Sequence, residues 1–146
     1  MPIGATKIMC AFYRDNNEQL SVDGLSLGAV AKQYGSPVYV YSAAGITDSF
    51  SRFQKAVAPV NGKIHFAMKA NPTLGILALI GKLGGGMDIV SAGELARAIA
   101  AGIKPSDVVF SGVGKSNDEI RQALACGIGQ INAESPAEVA AISVIA

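Results

Sequence analysis

The sequence predicts an α/β protein built on a parallel sheet, and three observations carry that prediction. Half of the 146 residues are apolar, glycine is abundant at 17 residues, tryptophan is absent and only 6% are aromatic. This composition suits close-packed helices on a sheet better than a β-sandwich. From Pro59 onward, short β-branched or apolar runs alternate four times with helical periodicity. The connections between them are short and carry Gly, Pro, Asp, Asn or Ser. Four successive βα units imply parallel strands covered by helices. Periodicity alone leaves an open doubly wound sheet and a (β/α)8 barrel both possible. The units repeat every 22 residues or so, about as compact as a repetitive barrel requires, and a barrel of about 250 residues would need more units.

The elements follow in order. Met9–Tyr13 reads as a short strand and "RDNNEQL" as a polar turn after it. Ser26 can cap a helix in which Leu27, Val30 and Ala31 recur at helical spacing, with Gly35 as its stop. Pro37–Tyr41, "PVYVY", has the composition of a strand. A helix over Ala44–Ala58 places Ile46, Phe50, Phe53 and Val57 on one face. The four units then pair strand Lys63–Met68 with helix Pro72–Leu83, and strand Met87–Val90 with helix Ala92–Ala101. Strand Val108–Ser111 precedes helix Asn117–Ala125, and strand Gly129–Asn132 precedes a helix from Pro136. That last helix opens on Ser135, Pro136 and Glu138. Its apolar periodicity meets no C-cap glycine, so a longer chain is expected, of which this is an N-terminal part.

Several function classes are disfavoured. A net charge of +1 gives no footprint for nucleic acid. No apolar run reaches the ~20 residues of a membrane span, and no secretory leader is readable at the N-terminus. Cys10 and Cys126 match no metal or redox spacing and read as two reduced thiols of a cytoplasmic protein. No metal site is expected.

Ligands of α/β folds gather at the carboxyl ends of strands. Those ends carry Lys69, Ala70 and Asn71; then Asp88 and Ser91; then Ser111 and "GVGKS"; then Asn132, Glu134 and Ser135. Strand alternation places His65, Ala67 and Lys69 on one face, with Ile64, Phe66 and Met68 on the other. Lys69 then points into the mouth above the small Ala67, or simply snorkels to water as a strand-end lysine. A functional role for a semi-buried amine is condensation with a carbonyl. A lysine with its ordinary pKa is almost wholly protonated at pH 7, so that role calls for burial. Pyridoxal phosphate is the cofactor that fits, because its aldehyde is held by a lysine. Asp88 is either an exposed strand-edge carboxylate or the partner of the cationic nitrogen that such a linkage carries. Gly84–Gly86 read as a helix end and turn, and "SGVGKS" lacks the spacing of a nucleotide-binding loop. Lys115 reads as a solvated helix-entry residue, and His65, the single histidine, as a satisfied core or rim residue.

The segments "HFAMKANP", "GGGMDIVSAGELARAIAAGI", "VVFSGVGKSNDEI" and "GIGQINAES", in this order, resemble the diaminopimelate decarboxylase family over roughly residues 36–146. The resemblance implies the N-terminal portion of a pyridoxal-phosphate-binding (β/α)8 TIM barrel of the alanine-racemase type. Residues 1–42 would contribute to a β domain, and 43–146 would form the first half of the barrel. It implies that Lys69 binds pyridoxal phosphate covalently and catalyses, that Asp88 lies beside the cofactor linkage, and that Ala67 lies under the ring. The parent enzyme would be a cytoplasmic homodimer converting a small amino-acid substrate, meso-diaminopimelate, to L-lysine and carbon dioxide. The family's phosphate turn, its ring-facing glutamate and histidine, and its C-terminal cysteine and tyrosine have no counterparts here, so this chain alone is expected to be inactive. Another pyridoxal-phosphate barrel enzyme (an ornithine- or arginine-type decarboxylase, or a racemase) and a non-catalytic fragment are the alternatives.

Overall fold

The computed structural model describes residues 11–146. Cys10 and the first two residues of the strand expected at Met9–Tyr13 lie outside them. The chain divides into two compact units, Met1–Ser49 and Phe50–Ala146.

The first unit holds three antiparallel strands in the order β1 (Phe12–Arg14), β2 (Leu20–Val22) and β3 (Leu25–Ser26). Local carboxylates shape both of its turns. The Asp15 side chain accepts from the backbone N–H groups of Asn17 (2.8 Å) and Gln19 (3.0 Å), which closes the β1–β2 connection. Asp23 and Gly24 both take left-handed backbone, φ 48° and 83°, as a two-residue hairpin between twisted strands requires. Helix α1 (Leu27–Tyr34) starts directly after β3 and stops at Gly35, whose N–H reaches the Ala31 carbonyl. Ser26 stands at the N-cap position, but its hydroxyl donates to Gln19 Oε1 (3.0 Å) and does not cap the helix.

The strand expected at Pro37–Tyr41 does not form. The segment has no ladder partner among the described residues, and Tyr39 is 88% exposed. Strand propensity reports fit to a paired, half-buried surface, and this segment lacks both pairing and burial. Helix α2 (Ala43–Val57) then begins on a tied turn: Ser42 Oγ accepts from Gly45 N (2.8 Å) and donates to Asp23 Oδ1 (2.6 Å). The Ser42 hydroxyl, more than the Ala44 N–H, holds the Asp23 carboxyl below the usual aspartate value.

The second unit is the expected run of βα units. Its parallel strands β4 (His65–Ala67), β5 (Gly86–Ile89), β6 (Val108–Phe110) and β7 (Gln130–Ile131) lie in sequential order. They alternate with α3 (Leu74–Lys82), α4 (Ala92–Ala100), α5 (Asn117–Cys126) and α6 (Pro136–Ile145). Sequential order without a reversal is barrel order, which separates it from the doubly wound alternative. On the helix-covered face Met87, Ile89, Val108 and Phe110 are fully buried with Leu77, Leu95, Ala98, Ile120 and Ala123 of the helices. Each large side chain buried there is worth about 1.5–3 kcal/mol of hydrophobic stabilisation. Of the stripe expected on α2, Phe50 is buried, whereas Phe53 stays 56% exposed at the stripe's edge. Gly86 permits a close approach in the sheet: a Cβ there would overlap the Asp107 carbonyl and press on the His65 imidazole. No helix among the described residues is long and apolar enough to cross a membrane.

Candidate active site

The carboxyl-terminal rim of the parallel sheet is organised by three repeats of one device. Helices α4, α5 and α6 begin Ser91-x-x-Glu94, Ser116-x-x-Glu119 and Ser135-x-x-Glu138, and each serine Oγ accepts from the backbone N–H of its glutamate. The glutamate carboxylates return to the loop before the helix. Glu94 accepts from Val90 N (2.7 Å), Glu119 from Ser116 N (3.0 Å), and Glu138 from Glu134 N (2.6 Å). Neighbouring units are also joined. Glu119 Oε1 accepts from Ala92 N (3.1 Å), Glu134 Oε1 from Gly112 N (3.1 Å), and Arg97 Nε donates to the Pro72 carbonyl (3.0 Å). Backbone N–H groups, Ser116 first for Glu119 and Glu134 for Glu138, hold both carboxyls below the usual glutamate range. The recurrence of S-x-x-E in the sequence is the signal that would have found these residues.

On the sheet face opposite the helices, register places Ala67 beside Asp88, Asp88 beside Val109, and Val109 beside Gln130. Parallel pairs share a face, so these side chains form one row. One step further along, three polar side chains are hydrogen-bonded in series. Asn132 Nδ2 donates to Ser111 Oγ (3.0 Å), and Ser111 Oγ donates to Asp88 Oδ1 (2.5 Å). Gln130 Nε2 donates to Asn132 Oδ1 (2.6 Å), which closes the series from the β7 side. The rim positions Asp88, Ser111 and Asn132 are thus brought together as expected, and Asp88 is half-buried rather than a free edge carboxylate.

Lys69 requires a correction. Strand β4 ends at Ala67, and Met68–Ala70 form a single 3-10 turn that packs against β5. Simple alternation therefore does not orient Lys69, and the residue is exposed, not enclosed. The cause is local: Met68 is drawn fully into the core, which turns the chain and leaves the next residue outside. No hydrogen bond or ion pair engages the Lys69 amine among the described residues. Asn71 and Thr73 continue the turn, with Thr73 N donating to Asn71 Oδ1 (3.0 Å).

Lys115 is the second correction. Its side chain is 1% exposed, not solvated. Its Nζ donates to the carbonyls of Gly112 (2.6 Å) and Asn132 (2.8 Å), pairs with Glu138 Oε1 (3.1 Å), and lies 5.6 Å from the centre of the Phe110 ring. His65 lies at the other end of the strands, in a cleft of about 220 Å³ with Lys63, Gly86 and Asp107. Among the described residues no three His, Cys, Asp or Glu side chains are grouped to hold a metal, and Cys126 is an exposed free thiol.

Comparison with known proteins bears on the family and the fold. Residues 43–146 match the family described as pyridoxal-dependent decarboxylase, pyridoxal binding domain. The diaminopimelate decarboxylase of Zymomonas mobilis is 48% identical over 133 residues, covering 89% of this chain and 32% of that protein. That of Pseudomonas aeruginosa is 45% identical, covering 87% and 30%. The crystal structure of diaminopimelate decarboxylase from M. jannaschi superposes with a TM-score of 0.87 at 28% identity, over 92% of this chain and 32% of that one. The Helicobacter pylori enzyme complexed with L-lysine gives 0.79 at 41%, over 82% and 30%. The chain thus spans about a third of the length of its curated relatives, and its sequential βα units have the fold of the N-terminal portion of their (β/α)8 barrel. By sequence and by fold, this chain belongs to the pyridoxal-dependent decarboxylases, with residues 43–146 matching part of their pyridoxal-binding domain.

Proposed function

We propose that this chain is the cofactor-anchoring part of an enzyme that decarboxylates meso-diaminopimelate to L-lysine, with pyridoxal phosphate held at Lys69 and Asp88. The observation that carries the reading is an exposed amine in the turn that ends β4, next to the strand that holds an oriented acid. Lys69 follows β4 with no carboxylate among the described residues competing for its Nζ, and β4 sets the small Ala67 directly beside Asp88. The residues fit the group: an aldehyde needs a free amine, a flat ring needs a small neighbour, and a cationic nitrogen needs a fixed acceptor.

When bound, pyridoxal phosphate supplies the aldehyde that a lysine can capture and a ring that accepts the electron pair left by a departing carboxylate. Lys69 holds the cofactor and, released from it, can carry a proton at Nζ. Asp88 Oδ1 accepts from the Ser111 hydroxyl, and Oδ2 would be the oxygen left to meet positive charge. The enclosure that Lys69 lacks here comes, in this reading, from the rest of the barrel, since the relatives are about three times as long. Residues 1–42 belong to a β domain, 43–146 to the barrel, and the full-length enzyme works as a cytoplasmic homodimer on a small amino acid. The identities of 40–48% to diaminopimelate decarboxylases favour this substrate over ornithine or arginine.

The test uses the full-length protein. Bound pyridoxal phosphate should give an absorbance band near the visible edge that is lost in Lys69→Ala, and diaminopimelate should yield lysine. A protein that retains the band in Lys69→Ala refutes the anchor. Release of carbon dioxide from ornithine but not from diaminopimelate refutes the substrate.

A further inference from the structure

The polar series on Asp88 ends at a buried cation. Lys115 Nζ has three protons, and all three are committed, to the Gly112 carbonyl, the Asn132 carbonyl and Glu138 Oε1. With its side chain 1% exposed, it has no free N–H to offer a ligand. Its two backbone acceptors are informative. Gly112 directly follows Ser111, and Asn132 directly follows β7, so one ammonium group ties the carboxyl ends of β6 and β7 together. At that separation Asn132 Nδ2 reaches Ser111 Oγ. A hydroxyl has a single proton, so a serine that accepts from Asn132 directs that proton elsewhere, here to Asp88 Oδ1.

We propose that Lys115 is a positioning residue for Asp88, acting through Asn132 and Ser111. The inference rests on the reading of Asp88 as the acidic partner of the bound cofactor. Lys115 sets the spacing of two strand ends, Asn132 sets the serine rotor, and Ser111 fixes one carboxylate oxygen so that the other faces the site. A lysine that only stabilised the loop would leave the carboxylate's influence on the cofactor unchanged.

The experiment follows the pH midpoint of the cofactor absorbance band in the full-length holoprotein, with thermal melting recorded in parallel. Asp88→Asn should move the midpoint by roughly 1 pH unit, the effect of removing one close opposite charge. Ser111→Ala and Asn132→Ala should move it in the same direction by a few tenths of a unit or more. Asn132→Ala is the decisive variant, since it keeps the backbone carbonyl that Lys115 holds and cuts the relay, and Gln130→Ala, which removes the other bond of the Asn132 side chain, is its control. Lys115→Met, where it folds, should match Asn132→Ala, and the double variant should shift no further than either single, because the two act in one series. A wild-type midpoint in Asn132→Ala and Ser111→Ala, beside a shifted Asp88→Asn, overturns the inference alone. A wild-type midpoint in Asp88→Asn overturns the reading of Asp88 and the inference with it.

Discussion

The two sheets of this chain are stabilised in different ways. In the antiparallel sheet of the first unit, Phe12, Tyr13, Leu20 and Leu25 are all more than a third exposed, and order comes from carboxylates bonded to nearby backbone. In the parallel sheet of the second unit, the two central strands are fully buried on the helix-covered face through Met87, Ile89, Val108 and Phe110, and carboxylates order the rim. Local hydrogen bonds can specify a hairpin that buries little more than Ser21 and Val22, whereas a row of short parallel strands depends on the helices that cover it. The second arrangement holds the polar series of Asp88, Ser111 and Asn132 steady, because the residues between them are fixed in packed hydrocarbon.

This contrast can be broken first at the buried face. Phe110→Ala should cost about 3–5 kcal/mol, read by chemical denaturation of the full-length protein, since it opens a cavity among fully buried neighbours. A loss below 1 kcal/mol would mean that burial does not hold the parallel sheet. Lys115→Met should cost roughly 3 kcal/mol by stranding Glu138 and two carbonyls, and Lys115→Arg should recover part of it. Ser116→Ala, which removes half of a capping box, should cost about 1 kcal/mol.

The smallest expected effect is a difference in acid response. Glu119, Glu138, Asp15 and Asp23 all have lowered pKa values in the folded chain. A carboxyl held lower when folded contributes stability above its unfolded value and loses it as pH falls through the folded one. The ordinary values are 4.5 for the glutamates and 3.8 for the aspartates. Amide protection at Ala92, Ser116 and Glu134 should therefore begin to weaken below pH 4.5, before Ala44 and Gln19 weaken below 3.8. Hydrogen exchange across this range reads the order directly, and the reverse order would remove the distinction between the two sheets' carboxylates.

Much of the parallel sheet was legible in the sequence because its period changes between strand and helix are sharp, and because strand ends can be read for polar residues without knowing contacts. Ser111, Asn132 and Asp88 emerged that way. The hairpin at Val22-Asp23-Gly24-Leu25 is likewise announced by its Asp-Gly turn. Lys115 was not readable. Its partners Asn132 and Glu138 lie 17 and 23 residues away, and nothing local announces a buried cation. Strand alternation does not extend past Ala67 to Lys69, because burial of Met68 overrides strand geometry there.

The rim clasps also run in one direction along the chain. The Ala92 amide is met by a carboxylate 27 residues later, and that of Gly112 by one 22 residues later. At a synthesis rate of about 5–20 residues per second, each loop waits on the order of seconds for the partner that completes it. No clasp can therefore close until the βα unit after its loop has been made, so the loop of the newest unit is always unfastened while the chain grows.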